Sequence, residues 1–561
     1  MLRKISPLLL LLYILWSTKL CAQNLYLSSV GNTEKETKTI DSLGYKKTFS
    51  DYLSLESEVK QLQKKLTQIG YIENELLHLK KQNDSSYLAS FSLKTKYKTI
   101  TVFHNNLVDP AILKLTDFLD ENALVIPIAN LESTLQMINT EIANRGNPFS
   151  SLIIKDIKKI DKYTLSGELS VSEPKSRTTD KIIIKGYEKF PKSFLNRYLK
   201  IKTNEVFSLA NIKDKTAVLN DLVFANQIKD PEVLFTQDST ILYMYIEKAR
   251  SNTFDGFLGF GTNESTNKIE FDGYLDLNLT NNLNYGESLK LLYKSDENDQ
   301  QTFDLKLTTP YIFNSPVGLD LNLNIFKRDS SFLTVSQTAK INYQINSKHI
   351  ISAGIQSVTS TDLLDIPTAS ITDYDSNQYL INYTFTKRQH YDRLFPINFL
   401  FDVSSSFGNR SYETFDEEQS NFYINTFKIF NLNDKNSFYG RINANYLVSD
   451  TYLENELPRF GGINSIRGFE ENSLIANLYA VLNTEYRYKL NSTIYVHSVI
   501  DAAYFENQIS NQKEKLFGFG FGFGLLTKAG LFRFNYTSGK TEQRKFRLSD
   551  SKIHLSLTTQ F

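Results

Sequence analysis

The feature that most constrains this chain is a strict alternation of apolar and polar residues through its second half. Between 268 and 279, one set of alternate positions holds Ile, Phe, Leu and Gly, and the other set is mostly charged or amide residues. The pattern recurs at 303–308 and 319–325 and returns at the carboxyl end. Successive side chains of a β-strand point to opposite faces, so this period predicts strands with one apolar and one polar face.

A soluble β-sandwich would also alternate, but three features favour a membrane β-barrel. The alternation covers about 310 residues, which is long for one sandwich. Its runs of about ten residues suit a tilted crossing of a bilayer. Tyr and Phe recur near the ends of these runs, where an aromatic girdle would lie. The mean hydropathy of −0.32 excludes a helical membrane protein but not a barrel with a polar lumen. The length fits 14, 16 or 18 strands about equally well.

The composition argues against several classes of function. With 63 Lys and Arg against 62 Asp and Glu, the chain lacks the basic excess of a nucleic-acid-binding protein. One Cys permits neither a disulfide framework nor a cysteine-based metal site, and six His without an H-E-x-x-H motif argue against a zinc hydrolase. No catalytic triad, phosphate loop or G-x-S-x-G motif stands out. We therefore expect no enzyme activity, cofactor, metal or nucleic-acid partner.

Residues 1–22 are typical of a secretory signal peptide. Arg3 and Lys4 form the charged start, and the apolar run 8–16 is too short to span a bilayer. Cleavage after Ala22 would remove Cys21, and the less favoured alternative is a lipid anchor on that cysteine. The rest of the chain has no long apolar stretch, so an exported protein of this kind would cross a membrane with strands.

Three similar segments precede the alternating region. Each contains an apolar stripe whose spacing places four side chains on one face of a short helix. The stripes are Leu55, Val59, Leu62 and Leu66; Leu131, Leu135, Ile138 and Ile142; and Ile212, Thr216, Leu219 and Val223. Gly70 and Gly146 follow the first two stripes as helix stops. Strand-like segments flank each helical part, which predicts a β-α-α-β-β unit that occurs three times.

This unit resembles the POTRA (polypeptide-transport-associated) domain, most clearly in its third copy. Residues 182–186 are similar to the first POTRA strand and its turn glycine, and 241–248 to the last strand. The resemblance implies periplasmic modules that bind client chains by strand addition, although they could instead act only as spacers. The predicted domains are 1–22 signal peptide, 23–96 first POTRA-like unit, 97–176 second POTRA-like unit, 177–250 third POTRA unit and 251–561 transmembrane β-barrel.

A glycine-rich loop gives the most specific family signal. The segment 458–469 reads P-R-F-G-G-I-N-S-I-R-G-F and contains Gly461, Gly462, Arg467, Gly468 and Phe469. Five alternating segments follow it. This arrangement resembles the outer-membrane assembly superfamily typified by BamA and TamA, the bacterial surface antigen barrels. The resemblance implies α+β POTRA repeats followed by a 16-stranded antiparallel transmembrane β-barrel, whose loop folds back into the lumen.

The same resemblance suggests roles for individual residues. Asp501 and Glu485 would bind the loop arginine, although Val499 and Ala503 depart from the family pattern around Asp501. A terminal Phe561 would close the last strand and act as an assembly signal. The run F-G-F-G-F-G-F-G at 517–524 predicts Phe toward lipid and Gly toward the lumen, leaving room for the loop. Arg467 would be either a structural clamp or a moving part of the transport cycle.

The resemblance implies an outer-membrane protein of a Gram-negative bacterium that receives unfolded clients on POTRA units and inserts them through its barrel. Three units give a layout similar to that of TamA. The first strand, predicted at 253–262, contains Gly256, Gly259 and Gly261 and would form a weak lateral seam. Alternatives are a two-partner-type polypeptide secretion pore and a passive porin with a periplasmic spacer. Expected partners are the lipid bilayer, outer-membrane or secreted client polypeptides, and a periplasm-spanning protein or lipoprotein.

Overall fold

The computed structural model describes residues 24–105, 107–120, 122–172, 176–262, 269–295, 300–366, 368–389, 391–527, 530–542 and 551–560. The predicted signal peptide and Phe561 lie outside these residues. The chain forms two compact units. One extends to Thr178 and includes Val206–Leu209, and the other contains Thr179–Glu205 and Ala210–Phe561.

The first α/β repeat has a four-stranded sheet in the order β2-β1-β4-β3, with β1 parallel to β4. Its elements are β1 (Leu25–Gly31), α1 (Glu34–Ser42), β2 (Thr48–Phe49), α2 (Tyr52–Gln68), β3 (Glu75–Lys81) and β4 (Ser86–Ser92). The predicted stripe from Leu55 to Leu66 is buried on α2. Asp51 caps this helix by accepting the Ser54 N–H at 2.8 Å. Gly70 follows the helix with a φ of 108°, which the glycine stop requires.

The second repeat has a five-stranded sheet in the order β6-β7-β5-β9-β8. Its elements are β5 (Thr99–Phe103), α3 (Pro110–Leu113), β6 (Leu119–Asp120), β7 (Ala123–Pro127), α4 (Ile128–Asn144), β8 (Leu152–Lys159) and β9 (Thr164–Val171). Ile138 and Ile142 on α4 are buried in the core of this sheet. The short strands β6 and β7 are additions that the β-α-α-β-β pattern did not predict.

Apart from Val206–Leu209, the third repeat belongs to the second compact unit, and its sheet order is β10-β12-β11. It contains β10 (Lys181–Gly186), a π-helical turn (Phe194–Tyr198), α5 (Leu209–Ala217), a 3-10 turn (Val218–Asp221), β11 (Ala225–Phe235) and β12 (Thr240–Lys248). The predicted helical stripe is wrong at Val223, which is 42% exposed. The helix tightens at Val218 and the chain becomes extended at Leu222, so that Phe224 is buried instead.

Sixteen strands then close into an antiparallel barrel, as the family resemblance predicted. They are β13 (Thr253–Thr262), β14 (Ile269–Thr280), β15 (Ser288–Ser295), β16 (Gln300–Thr309), β17 (Val317–Arg328), β18 (Phe332–Gln344), β19 (His349–Asp362), β20 (Tyr374–Arg388), β21 (Ile397–Tyr412), β22 (Phe415–Asn431), β23 (Asn436–Val448), β26 (Leu478–Lys489), β27 (Ile494–Asn507), β28 (Gln512–Leu526), β29 (Leu531–Thr541) and β30 (Ser551–Gln560). Between β23 and β26, β24 (Arg459–Phe460) and β25 (Leu474–Ile475) form a separate small sheet.

The barrel wall shows the two faces that the alternation predicted. Ile355 and Tyr379 are outward register partners, and their exposed fractions are 58% and 75%. On the inner face, Lys340 and Lys306 both lie within 4 Å of the Asp320 carboxylate. None of the helices in the described ranges is long and apolar enough to cross a membrane.

The third α/β repeat packs against one end of the barrel, at the turns 281–287, 310–316 and 345–348. The Phe194 ring meets Tyr311 edge to face with a centroid distance of 4.9 Å. The Tyr187 hydroxyl donates to Asn284 at 2.5 Å and accepts from Asn281 at 2.8 Å. We call this end of the barrel the proximal end and the opposite end the distal end.

Candidate functional site

The glycine-rich loop leaves the distal end of β23 and folds into the barrel lumen. Gly461, Gly462 and Gly468 have φ values of 114°, 93° and 93°, which disfavour residues with a side chain. A tight turn joins them, because the Gly462 N–H donates to the Ile466 carbonyl at 3.2 Å. These glycines give the loop the sharp bends that return Arg467 toward the wall.

Arg467 is buried, at 6% exposure, and it contacts both residues named by the resemblance. Its Nε and Nη2 donate to Asp501 at 2.8 and 2.6 Å, and its backbone N–H donates to the same carboxylate at 3.1 Å. Its Nη1 donates to Glu485. Asp501 on β27 and Glu485 on β26 thus hold the planar guanidinium from two sides, a geometry that suits the fork of donors of arginine.

A second arginine, which the sequence analysis did not select, balances the charge of this cluster. Arg487 lies two residues after Glu485 on the same inward face of β26, and its Nε donates to Glu485 at 2.7 Å. The cluster therefore contains two arginines and two carboxylates. A buried charge is tolerated only when it is paired, and this arrangement leaves no net charge to stabilise.

Glycines form a notch in the wall against which the loop backbone rests. Gly518 on β28 and Gly539 on β29 are register partners. A Cβ atom at Gly518 would lie 2.3 Å from the Arg467 carbonyl oxygen, and one at Gly539 would lie 2.5 Å from the Gly468 carbonyl oxygen. On the outer side, Phe519 and Phe521 are 41% and 59% exposed. The alternating run thus has the orientation that the sequence analysis predicted, with phenylalanines outward and glycine beside the loop.

Apolar packing completes the site. The Phe460 ring stacks on Tyr479 at a centroid distance of 4.6 Å, and Ile466 is fully buried in the same cluster. Phe469 packs against its edge. The departure from the family pattern on β27 is accommodated, because Val499 and Ala503 are both buried beside Asp501.

Comparison with known proteins identifies the family. A model described as the Omp85 superfamily domain matches residues 278–561, just over half of the chain. The chain belongs to the Omp85 superfamily. Barrels of this superfamily are outer-membrane proteins. No curated protein sequence matches the chain.

Solved structures share the fold at low sequence identity. BamA from Haemophilus ducreyi lacking POTRA domains 1–3 is 14% identical with a TM-score of 0.50, covering 83% of this chain and all of that one. CdiB from Acinetobacter baumannii is 14% identical with a TM-score of 0.52, covering 91% of this chain and 97% of that one. CdiB from Escherichia coli is 12% identical with a TM-score of 0.53 and covers 91% and 98%.

In this Omp85 barrel, the segment 449–458 crosses the distal end of the lumen, and we call it the distal strap. Glu456 in the strap pairs with Arg410 on β21, which is completely buried. The Asn455 amide donates to Ser360 on β19 at 2.9 Å, and Glu454 pairs with Arg328 on β17 at 2.6 Å. The strap thus contacts strands that lie two, four and six positions from its own origin on β23.

Two kinds of site residue escaped the sequence analysis. Gly539 could have been found as a glycine inside a strand, which often marks a close approach of another backbone. Arg487 and Arg410 carried no such signal, because an arginine on a polar strand face is common. No cluster of potential metal ligands occurs among the described residues.

Proposed function

We propose that this protein is an assembly factor of the Gram-negative outer membrane. Its three POTRA-like units would lie in the periplasm and receive unfolded outer-membrane proteins, and its barrel would insert these clients into the bilayer. It would work without enzyme chemistry or a cofactor, because the folding of the client into lipid supplies the free energy.

The observation that carries this proposal is the narrow seam between the first and last strands. Within the described residues, β13 pairs with β30 only at Thr253–Phe254 opposite Thr559–Gln560. The other edge of β13 pairs with β14 along all ten residues of the strand. The Thr559 hydroxyl adds one bond to the Phe254 carbonyl at 2.6 Å. Within the described residues the β13–β30 seam thus has far fewer register pairs than the β13–β14 ladder, which supports the addition of an incoming strand at this edge.

The lumen offers a poorer route. The Arg467 loop occupies it, and the distal strap crosses its distal end through Glu454, Asn455 and Glu456. Buried ion pairs hold both segments. A passive porin would need a clear aqueous channel. A client that inserts laterally at the seam would not have to pass through the lumen, so it would not have to displace the loop and the strap.

Exposed sheet edges support the binding of extended clients. β8 is the edge strand of the second sheet, where Ile153 and Ile157 are 55% and 54% exposed. An edge strand can add an extended chain through backbone hydrogen bonds, which tolerate any sequence.

Depletion of the protein separates the candidate functions. We expect outer-membrane barrel proteins to decrease while secreted proteins keep their levels, measured by quantitative proteomics of the two fractions. Loss of one secreted protein alone would instead favour a two-partner-type secretion pore. Unchanged levels in both fractions would contradict the proposal.

A reversible lock tests the seam directly. Phe254 and Thr559 are register partners, and both are changed to cysteine. Opposite Cβ atoms on antiparallel strands lie about 4.5–5.5 Å apart, so a short cleavable thiol crosslinker can join the two cysteines. We expect crosslinking to abolish client assembly and cleavage to restore it. The matched control is Phe534→Cys with Leu555→Cys, a register pair between β29 and β30. Equal inhibition by both pairs, or by neither, would contradict seam opening.

A further inference from the structure

The turn between β20 and β21 folds into the proximal end of the lumen. Its described residues are Gln389 and Tyr391–Pro396. Leu394 and Asp392 are buried, at 5% and 6% exposure, although they belong to a turn. The Asp392 carboxylate shapes the turn by accepting the backbone N–H groups of Leu394 and Phe395 at 3.1 and 3.2 Å. Hydrogen bonds therefore order the part of the turn from Asp392 to Phe395.

The turn reaches past two strands to contact β26 and β27. The Phe395 ring meets Tyr495 on β27 at a centroid distance of 4.7 Å. The Arg487 guanidinium lies 4.3 Å from the Phe395 ring and 4.0 Å from the Tyr439 ring, so it is held between two aromatic faces. Lys489 pairs with Asp392 at 2.9 Å.

One row of side chains on β26 joins this turn to the Arg467 loop. Of the four alternate positions on the inner face from 483 to 489, two contact the Arg467 loop and two contact the β20–β21 turn. Asn483 donates to the Ser465 carbonyl of the loop at 2.8 Å, and Glu485 pairs with Arg467. The next two positions, Arg487 and Lys489, contact the turn. We call these four residues the β26 inner row.

Glu485 makes the two halves of the row depend on each other. One of its oxygens accepts from Arg467 and the other from Arg487. If Arg487 moved with the turn, the buried Glu485 carboxylate would lose one of its two arginine partners. The pairing between Glu485 and Arg467 would then change. The structure thus contains a continuous polar connection from the proximal opening to the loop.

We propose that Arg487 is a positioning residue that couples the β20–β21 turn to the Arg467 loop. A polypeptide arriving at the proximal end would displace Phe395, release Arg487 and loosen the hold of Glu485 on Arg467. The turn therefore senses the client, and the loop responds before the seam opens. The role of this coupling in client transfer rests on the proposed function, but the coupling itself can be measured without a client.

The test uses a single cysteine in the loop. Ser465 is 9% exposed in the loop, and Cys21 is the only cysteine of the chain, so Ser465→Cys with Cys21→Ser gives a protein with one thiol that becomes accessible when the loop moves. The rate of labelling with a charged, water-soluble maleimide reports how freely the loop moves. We expect Phe395→Leu, which keeps apolar bulk but removes the ring, and Arg487→Lys, which keeps the charge but not the planar stack, to raise this rate roughly fivefold or more.

Arg393→Ala is the matched control, because Arg393 is an exposed arginine of the same turn. It should leave the labelling rate unchanged. Only protein that migrates as a folded barrel in unheated gels is compared, so unfolded variants do not enter the result. Unchanged labelling in folded Phe395→Leu and Arg487→Lys overturns the coupling. Faster labelling with undiminished client assembly would support the coupling and contradict its role in the proposed function.

Discussion

The wall from β20 to β22 and the seam between β13 and β30 belong to one barrel, but they are closed very differently. Continuous register joins β21 to β22 from Phe399–Lys428 to Tyr412–Phe415, along almost the full length of β21. The seam has two register pairs in the described residues. Since each ladder bond must be broken for a strand to separate, the wall and the seam differ greatly in their local free energy of opening.

Side chains also stabilise the wall. On the outer face of the wall, aromatic rings on neighbouring strands form edge-to-face pairs. The ring centroids of Phe385 and Phe399 lie 5.3 Å apart, and those of Phe407 and Phe422 lie 5.8 Å apart. Such pairs add roughly 0.5–1.5 kcal/mol beyond their buried area. At the distal end, Arg410 fixes the strap to the same wall. These contacts hold this wall firmly, so under the proposed function the barrel would open at the seam.

The largest expected effect comes from removing a buried arginine on either side of the barrel. Arg467→Ala leaves Glu485 and Asp501 without their shared cation, and Arg410→Ala does the same to Glu417 and Glu456. We expect each change to reduce the free energy of unfolding by about 3–5 kcal/mol. The measurement is the temperature at which the folded band disappears from unheated gels.

The two variants should differ in client assembly. Arg467→Ala acts on the loop beside β28 and β29, and we expect it to reduce assembly more than its effect on folded protein explains. Arg410→Ala acts on the rigid wall and should reduce assembly only in proportion to folded protein. If Arg467→Ala behaves as Arg410→Ala does, Arg467 is a structural clamp and not a moving part.

The rigid wall and the loop motif were predictable from sequence to different extents. Alternation predicts strands because only a period of two separates the lipid face from the lumen face, but it does not determine the strand number, which came from the family resemblance. The pairing of Arg467 with Asp501 and Glu485 also came from resemblance. Their strands are separated from the loop by turns of unknown geometry, and spacing alone could not bring them together.

Contacts across the lumen could not be predicted at all. Phe395 contacts Arg487 although two strands, β22 and β23, lie between their parts of the wall. The curvature of the closed barrel brings the two residues together, and the sequence does not specify that curvature. The strap contacts of Asn455 and Glu454 are of the same kind. The prediction that Val223 belongs to the buried helix stripe was wrong for a local reason. The apolar spacing continues in the sequence, but the backbone is already extended at Leu222.

A smaller effect tests the glycine notch near the seam. Gly518→Ala would place a Cβ 2.3 Å from the Arg467 carbonyl oxygen, so the loop must shift. We expect a loss of about 1–3 kcal/mol in the free energy of unfolding, typical of overpacking, with faster thiol labelling of the loop. Gly440→Ala is the control, since the nearest atom to its Cβ is 3.9 Å away. Equal effects of the two substitutions would show that the notch does not hold the loop.

The smallest expected effect compares one hydrogen bond at the seam with one in the wall. Thr559→Val removes the bond from the hydroxyl to the Phe254 carbonyl at 2.6 Å, and Thr426→Val removes a bond to the Leu400 carbonyl at 2.9 Å. Each bond contributes roughly 0.5–1.5 kcal/mol, which is small for the whole barrel but large for a seam that has two register pairs in the part of the chain that the structure describes. We expect hydrogen exchange at the backbone amides of β13 and β30 to accelerate in Thr559→Val. In Thr426→Val the amides of β21 and β22 should keep their protection, because the continuous ladder on both sides of Thr426 holds them. Equal acceleration in the two variants would mean that the seam is no weaker than the wall, and the proposed route of insertion would lose its structural basis.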